Sequence, residues 1–319
     1  MKKLLIYIGI LFIAFGSINA NAQKKIRLID TEHLDGNENE IPGAVVFTGD
    51  VQFEHNGATI WCNKAYLFEQ ENYAKLFGDV RIIQGDTIHM NSEYAEYNGN
   101  KNFAFASGDV VMKSPDMRLT TDTLYFDRAS QQAYYNSYGT IVNEDNTLKS
   151  KSGRYYINQK KYQFLTAVTL TNPKYVLKSN HLDYYTDSGL AYLYGPSTIT
   201  NTQNENKLYS EKGFYNTKTD ISYFTKNAKL FLKERTVEGD SLYYDKNKGF
   251  ASATNNIKVI DTVQNLVTKS NYAEIFEHKD SLFLVKRAVA ISIIDKDSMF
   301  VHGDTILVTG KPEKRIIRT

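Results

Sequence analysis

The strongest constraint on this chain is that it repeats itself. A small residue is followed by Asp, Asn or Glu, then by alternating apolar positions, as in Thr121-Asp122-Thr123-Leu124-Tyr125-Phe126. The pattern returns at Gly239-Asp240-Ser241-Leu242-Tyr243-Tyr244 and at Ser270-Asn271-Tyr272-Ala273-Glu274-Ile275. Shorter copies stand at Cys62-Asn63, Ser92-Glu93, Ser179-Asn180, Ser210-Glu211 and Gly303-Asp304, with weaker ones at Thr31-Glu32 and Ser152-Gly153. Successive second positions lie 27–33 residues apart. One copy would mean little; the regular recurrence implies a repeating structural unit.

A second element interleaves with the first. Gly49-Asp50-Val51, Gly78-Asp79-Val80 and Gly108-Asp109-Val110 are its clear copies, and Gly139-Thr140 and Gly195-Pro196 are looser. Apolar residues alternate straight through the glycine, as at Ala104, Ala106, Gly108, Val110 and Met112. A period of two marks a strand with one buried face. Turn-forming clusters such as Asn98-Gly99-Asn100, Gln84-Gly85-Asp86 and Asp187-Ser188-Gly189 separate the elements. Each unit therefore reads as strand, hairpin, strand, hairpin. The fold class is all-β: a bent antiparallel sheet of about ten repeats, each of about thirty residues. A parallel β-helix has coils of similar length and is the alternative; short polar turns favour hairpins. No stretch carries a convincing helical stripe, and the closest, 271–277, fits the strand repeat better.

Parity suggests a crease. Leu119 and Thr121 share one strand face, whereas Leu124 and Phe126 fall on the other. For all to point inward, the strand must bend or bulge at Asp122, with glycine in the partner strand easing a matching bend. The acidic column is then expected to hydrogen-bond the backbone at the bend. Such a sheet becomes a trough lined by Val51, Phe53, Ile60, Leu67, Val80, Ile82, Met90, Val110, Met112, Leu119, Leu124 and Phe126. From the residues alone these columns suit either a dry core or a groove for lipid.

The remaining composition narrows the function. Lys2 and Lys3 precede an apolar run from Leu4 to Phe15, and Ala20-Asn21-Ala22 offers a cleavage site after Ala22. Residues 1–22 read as a signal peptide, 23–308 as one repeat domain and 309–319 as a short tail with Lys311, Lys314, Arg315 and Arg318. Beyond Ala22 acidic and basic residues balance, so nothing draws nucleic acid to the chain. The six histidines form no metal-ligand spacing, and no enzyme motif, phosphate loop or acid–base pair stands out. No enzyme activity, cofactor or metal is expected. Cys62 is the sole cysteine and takes a position held elsewhere by Ser or Thr, which suggests packing rather than nucleophilic chemistry.

Phe47-Thr48-Gly49-Asp50-Val51 followed by Ile60-Trp61-Cys62-Asn63-Lys64-Ala65-Tyr66-Leu67 resembles the repeat of the LptA/OstA family of lipopolysaccharide-transport proteins. So does the segment from Phe105 to Phe126, and the likeness continues loosely to Val308. The resemblance implies a twisted β-jellyroll in the periplasm that relays lipopolysaccharide toward the outer membrane. It also implies inner- and outer-membrane lipopolysaccharide-transport proteins as partners, joined through edge strands. Ile26, Leu28, Val301, Ile306 and Val308 are the edge candidates, and head-to-tail self-association is a further expectation. An extracytoplasmic scaffold or glycan-binding protein with a dry core is the alternative function.

Overall fold

The computed structural model describes residues 25–319 apart from 36–40, 56, 86–87, 116, 144, 204–205, 233, 280, 295–296 and 311–315. The expected signal peptide and most of the basic tail lie outside the described residues. The chain forms two compact units, one of residues 1–167 with 185–187, the other of 168–184 with 188–319.

The first unit contains β1 (Arg27–Asp30), β2 (His33–Asp35), β3 (Val45–His55), β4 (Ala58–Phe68), β5 (Tyr73–Gln84) and β6 (Ile88–Asn98). It continues with β7 (Phe103–Ser114), β8 (Met117–Asp127), β9 (Gln132–Tyr135), β10 (Gly139–Asn143), β11 (Asn146–Ser150) and β12 (Ser152–Tyr156). The chain leaves it along β13 (Lys161–Asn172). From β3 to β8 each strand pairs antiparallel with the next. This is the hairpin repeat expected from the turn clusters, and these pairings exclude a parallel β-helix.

The second unit contains β14 (Tyr175–Tyr185), β15 (Leu190–Asn201), β16 (Lys207–Asn216), β17 (Ile221–Phe231) and β18 (Arg235–Asp245). Next come β19 (Phe250–Asp261), β20 (Leu266–Phe276), β21 (Ser281–Ile294), β22 (Asp297–Thr309) and β23 (Ile316–Arg318). From β15 onward these too form an antiparallel meander. A 3₁₀ turn spans Glu277–Lys279. The expected tail is partly structured: Ile316–Arg318 pairs with Leu307–Thr309.

The crease is real, but its extra residue sits on the other strand from the one expected. Ser107 faces Thr123 and Val110 faces Thr121, so Gly108 and Asp109 together oppose the single Asp122. Both bulge residues have positive φ, which Gly adopts freely and Asp tolerates. The bulged strand thus keeps Ala106, Val110 and Met112 inward, while inward parity in β8 switches from Leu119 and Thr121 to Leu124. Paired positive-φ residues recur at 49–50, 78–79, 108–109, 166–167, 226–227, 255–256 and 286–287, in steps of about thirty residues or twice that.

The side chain that repairs the bend also differs from expectation. A bulge breaks the ladder and leaves a carbonyl without its strand partner. In several copies the small residue, not the acidic one, serves that carbonyl. Ser210 Oγ lies 2.7 Å from the Thr225 carbonyl just before the bulge of β17, and 2.8 Å from that of Lys212. Thr121 Oγ1 makes the same pair of contacts with Tyr138 and Thr123. Ser150 likewise donates to the Ser152 carbonyl. The true copy is therefore Ser150-Lys151 rather than Ser152-Gly153, which evens the local spacing. The acidic column covers the bulge instead. A Cβ on Gly108 would lie 2.7 Å from Glu93 Oε2, and one on Gly78 would lie 2.8 Å from Asn63 Nδ2. Where the bulge holds Asn, the acid accepts from it: Asn227 donates to Glu211 and Asn256 to Asp240.

Candidate functional site: an apolar cleft between two leaves

In the first unit the bulges divide the sheet into two leaves. One leaf comprises the strand segments running from the bulge line to the 55–58, 84–88 and 114–117 hairpins. The other comprises the segments reaching the 68–73 and 98–103 hairpins. His55 and Tyr97 lie near opposite tips. Along a flat sheet about nine residues at ~3.3 Å each would hold them roughly 30 Å apart. Instead His55 Nε2 is 3.0 Å from Tyr97 Oη. The leaves therefore fold over and face each other. Phe47 and Phe53, on either side of one bulge, meet edge to face with centroids 5.6 Å apart.

Between the leaves is a cleft with about 1370 Å³ of empty space, its open mouth included. Phe53, Ile60, Ile82, Met90 and Met112 line it from one leaf, and Ala74, Leu76, Leu124 and Phe126 from the other. Seven of the twelve groove candidates are thereby brought together: Phe53, Ile60, Ile82, Met90, Met112, Leu124 and Phe126. Val51, Val80 and Val110 are fully buried beside the bulges, and Leu67 and Leu119 are also buried outside the cleft lining. The three valines pack the closed end, whereas Leu67, near the end of β4, and Leu119, opposite Met112, are buried farther along the leaves, so one apolar column supplies both core and cleft wall.

Sequence reasoning missed the polar rim. His55, Gln84, Glu96, Tyr97 and Arg128 border the cleft. Burial lowers the His55 pKa, the Lys25 backbone opposes that shift, and Arg128 adds to the lowering. Burial likewise raises Tyr97. The signal for a rim was present, since His55, Gln84 and Asn98 each end a strand before a turn, but strand-end polar residues are also ordinary solubilising ones. Tyr73 and Tyr94 both donate to Glu96.

Of the edge candidates, Ile26 lines the cleft and Leu28 pairs with Phe53 in β3. Val301, Ile306 and Val308 lie on β22; Ile306 and Val308 point into the second unit's core. Val308 is paired on both sides, with Leu282 and with Ile317, so the part of β22 that β23 does not pair with includes Val301 and Ile306 but not Val308. Among the described residues no group of His, Cys, Asp and Glu is placed to hold a metal ion.

The sequence matches the family described as OstA-like protein over residues 23–180 and 174–240. This chain belongs to the OstA-like family. The match spans the whole of the cleft and both kinds of repeat element. No curated protein matches this OstA-like chain. Among solved structures it is similar to LptH, the LptA-homologous periplasmic component of the lipopolysaccharide transport device of Pseudomonas aeruginosa. That likeness has 15% identity and a TM-score of 0.29, covering 31% of this chain and 76% of LptH.

Proposed function

We propose that this OstA-like protein is a periplasmic carrier that holds the acyl chains of lipopolysaccharide in the first unit's cleft and passes them toward the outer membrane. The observation that carries the reading is the cleft itself: an open space between two leaves, walled by aliphatic and aromatic side chains and rimmed by polar ones. Each acyl methylene removed from water stabilises the bound state by about 0.8 kcal/mol, so a long chain crossing an aqueous space needs such a wall. Repeated columns of similar side chains provide neighbouring sites of similar affinity, which favours movement along them over trapping. The chain acts as a binding protein in this reading, without catalysis.

Transfer needs contacts at both ends. In β1 the described pairing is with β3 alone, and β23 covers β22 only over Leu307–Thr309. Strand edges of this kind template pairing with another chain. They are the proposed docking points for the inner- and outer-membrane transport proteins, and for a second copy head to tail. Photo-crosslinkers at Ile82 and Phe126 are expected to capture lipopolysaccharide in cells, and one at the exposed Lys160 is not. Equal labelling at all three positions overturns the carrier reading.

A further inference from the structure

We infer that the second unit contains a separate amphiphile site, selective for an acyl chain that carries an oxygen function close to its head group, with Thr268 as the selecting residue. The inference rests on reading the apolar clefts as lipid sites. The second unit has its own open space, about 1830 Å³ with its mouth included. Its walls include Leu230, Val237, Val259, Leu266, Leu282 and Val308.

Thr268 lines this cleft, is 2% exposed, and its Oγ1 has no hydrogen-bond partner among the described residues. The surroundings give that hydroxyl no structural use. Along the row of paired strands Val237 faces Val259, Val259 faces Thr268, Thr268 faces Ala290, and Ala290 faces Val301. The repeat makes the anomaly sharper. Thr268 stands two residues before the small residue of its copy, Ser270. That position is apolar in the other copies, as at Ile60, Met90, Leu119, Leu177, Val237 and Val301. A hydroxyl buried without a partner weakens the fold relative to a methyl of the same shape. Its presence at one copy only is explained by an oxygen that enters with a ligand.

The polar rim of the same cleft sets the depth of that oxygen. β18 begins at Arg235 and β19 ends at Asp261, so their contact marks the tip of the leaf. Arg235 Nη2 donates to Asp261 Oδ2 at 3.0 Å, while Asp261 Oδ1 accepts the backbone N–H groups of Val263 and Gln264. Asp261 pairs with Leu266, two residues from Thr268 on the same face of β20. A head group resting on Arg235 and Asp261 thus places the first few carbons of its chain at the depth of Thr268. A hydroxyl or ester oxygen there meets Oγ1; a plain alkyl chain does not.

The test titrates the full exported chain with tetradecanoate and with 3-hydroxytetradecanoate by calorimetry. Wild type is expected to favour the hydroxylated acid about fivefold, the worth of one net hydrogen bond. Thr268→Val is expected to fold at least as stably and to lose that preference, and Thr268→Ser to keep it. An unchanged preference in Thr268→Val, or none in wild type while both acids bind, overturns the selectivity and leaves the cleft reading standing. Binding of neither acid to any variant overturns both.

Discussion

Tyr97 Oη and His55 Nε2 meet at 3.0 Å although their strands leave the crease in opposite leaves. The contact ties the two leaves near their tips and so sets how far the cleft of the first unit opens. It also makes this closure sensitive to acid. Burial holds the His55 pKa below its ordinary value of 6.5, so the folded state favours the neutral ring. Above pH 6.5 both folded and unfolded forms carry neutral His55 and its contribution is fully present. As pH falls through that value the unfolded chain binds the proton first, and stability declines toward the lower folded pKa. Urea unfolding of wild type between pH 7.5 and 5 is expected to show a decline that His55→Gln makes shallower. Tyr97→Phe, which leaves the imidazole short of a partner, is expected to cost about 1–2 kcal/mol at pH 7.5.

Two glycines with the same backbone twist are expected to respond differently to alanine. Gly108 and Gly195 both have φ of +78°. A Cβ at Gly195 meets nothing within 4 Å, so Gly195→Ala carries only the left-handed backbone penalty of about 1–2 kcal/mol. A Cβ at Gly108 would also lie 2.8 Å from Glu93 Cβ, close to the backbone where the side chain has little room to yield. Gly108→Ala is expected to cost about 3 kcal/mol or more, since overpacking adds to the backbone term. Equal losses in chemical denaturation would show that the acid lying over the bulge does not matter.

Much of the architecture was legible because a bulge leaves a mark in both strands. The parity switch between Leu119 and Leu124 locates the crease, and Gly108-Asp109 names the residues that take positive φ. Neither mark says which strand holds the extra residue, since a phase change in one strand and an insertion in its neighbour shift the same ladder. Gly195-Pro196 was legible as a looser copy, but later bulges without glycine were not. Thr166-Ala167, Lys226-Asn227 and Lys286-Arg287 adopt the same twist without glycine, held there by the stacked strands on either side. The partition of the apolar columns was also hidden. Val110 and Met112 share strand and face, yet Val110 is core beside the bulge and Met112, two residues on, lines the cleft, while Leu119 opposite Met112 does not. The rim escaped notice because His55 and Tyr97 are distant in sequence and meet only once the leaves fold over.

Cys62 is expected to behave as a serine equivalent. Burial pushes its thiol up to about 11, with backbone contacts to Phe77 and Lys64 opposing the shift. Those contacts involve the same two places in the repeat, the residue before the neighbouring bulge and the residue two further on, that Ser210 meets in Thr225 and Lys212. Only the thiolate reacts readily with alkylating agents, so iodoacetamide at pH 7.5 is expected to label the folded protein far more slowly than the urea-unfolded chain. Cys62→Ser is expected to change stability by less than about 1 kcal/mol. Cys62→Val is expected to cost about 1–3 kcal/mol by removing the sulfur's backbone contacts with Phe77 and Lys64 beside the bulge. Rapid labelling of the folded protein would place the thiol in solvent and break the analogy.

The edge of β22 supplies the last prediction. Met299 is 52% and Phe300 63% exposed, and the return strand β23 pairs only with residues 307–309. Large exposed apolar residues on a partly uncovered strand edge favour pairing with another chain. If copies join through this edge, sedimentation of the purified chain shows concentration-dependent association, and Phe300→Lys reduces it because a lysine desolvated at a strand edge opposes docking. The side chain packs on little within its own unit, so thermal stability is expected to stay within about 0.5 kcal/mol of wild type. Association that survives both Met299→Lys and Phe300→Lys would assign the contact to another surface. Loss of association together with loss of folding would instead make these residues part of the core, contrary to their exposure.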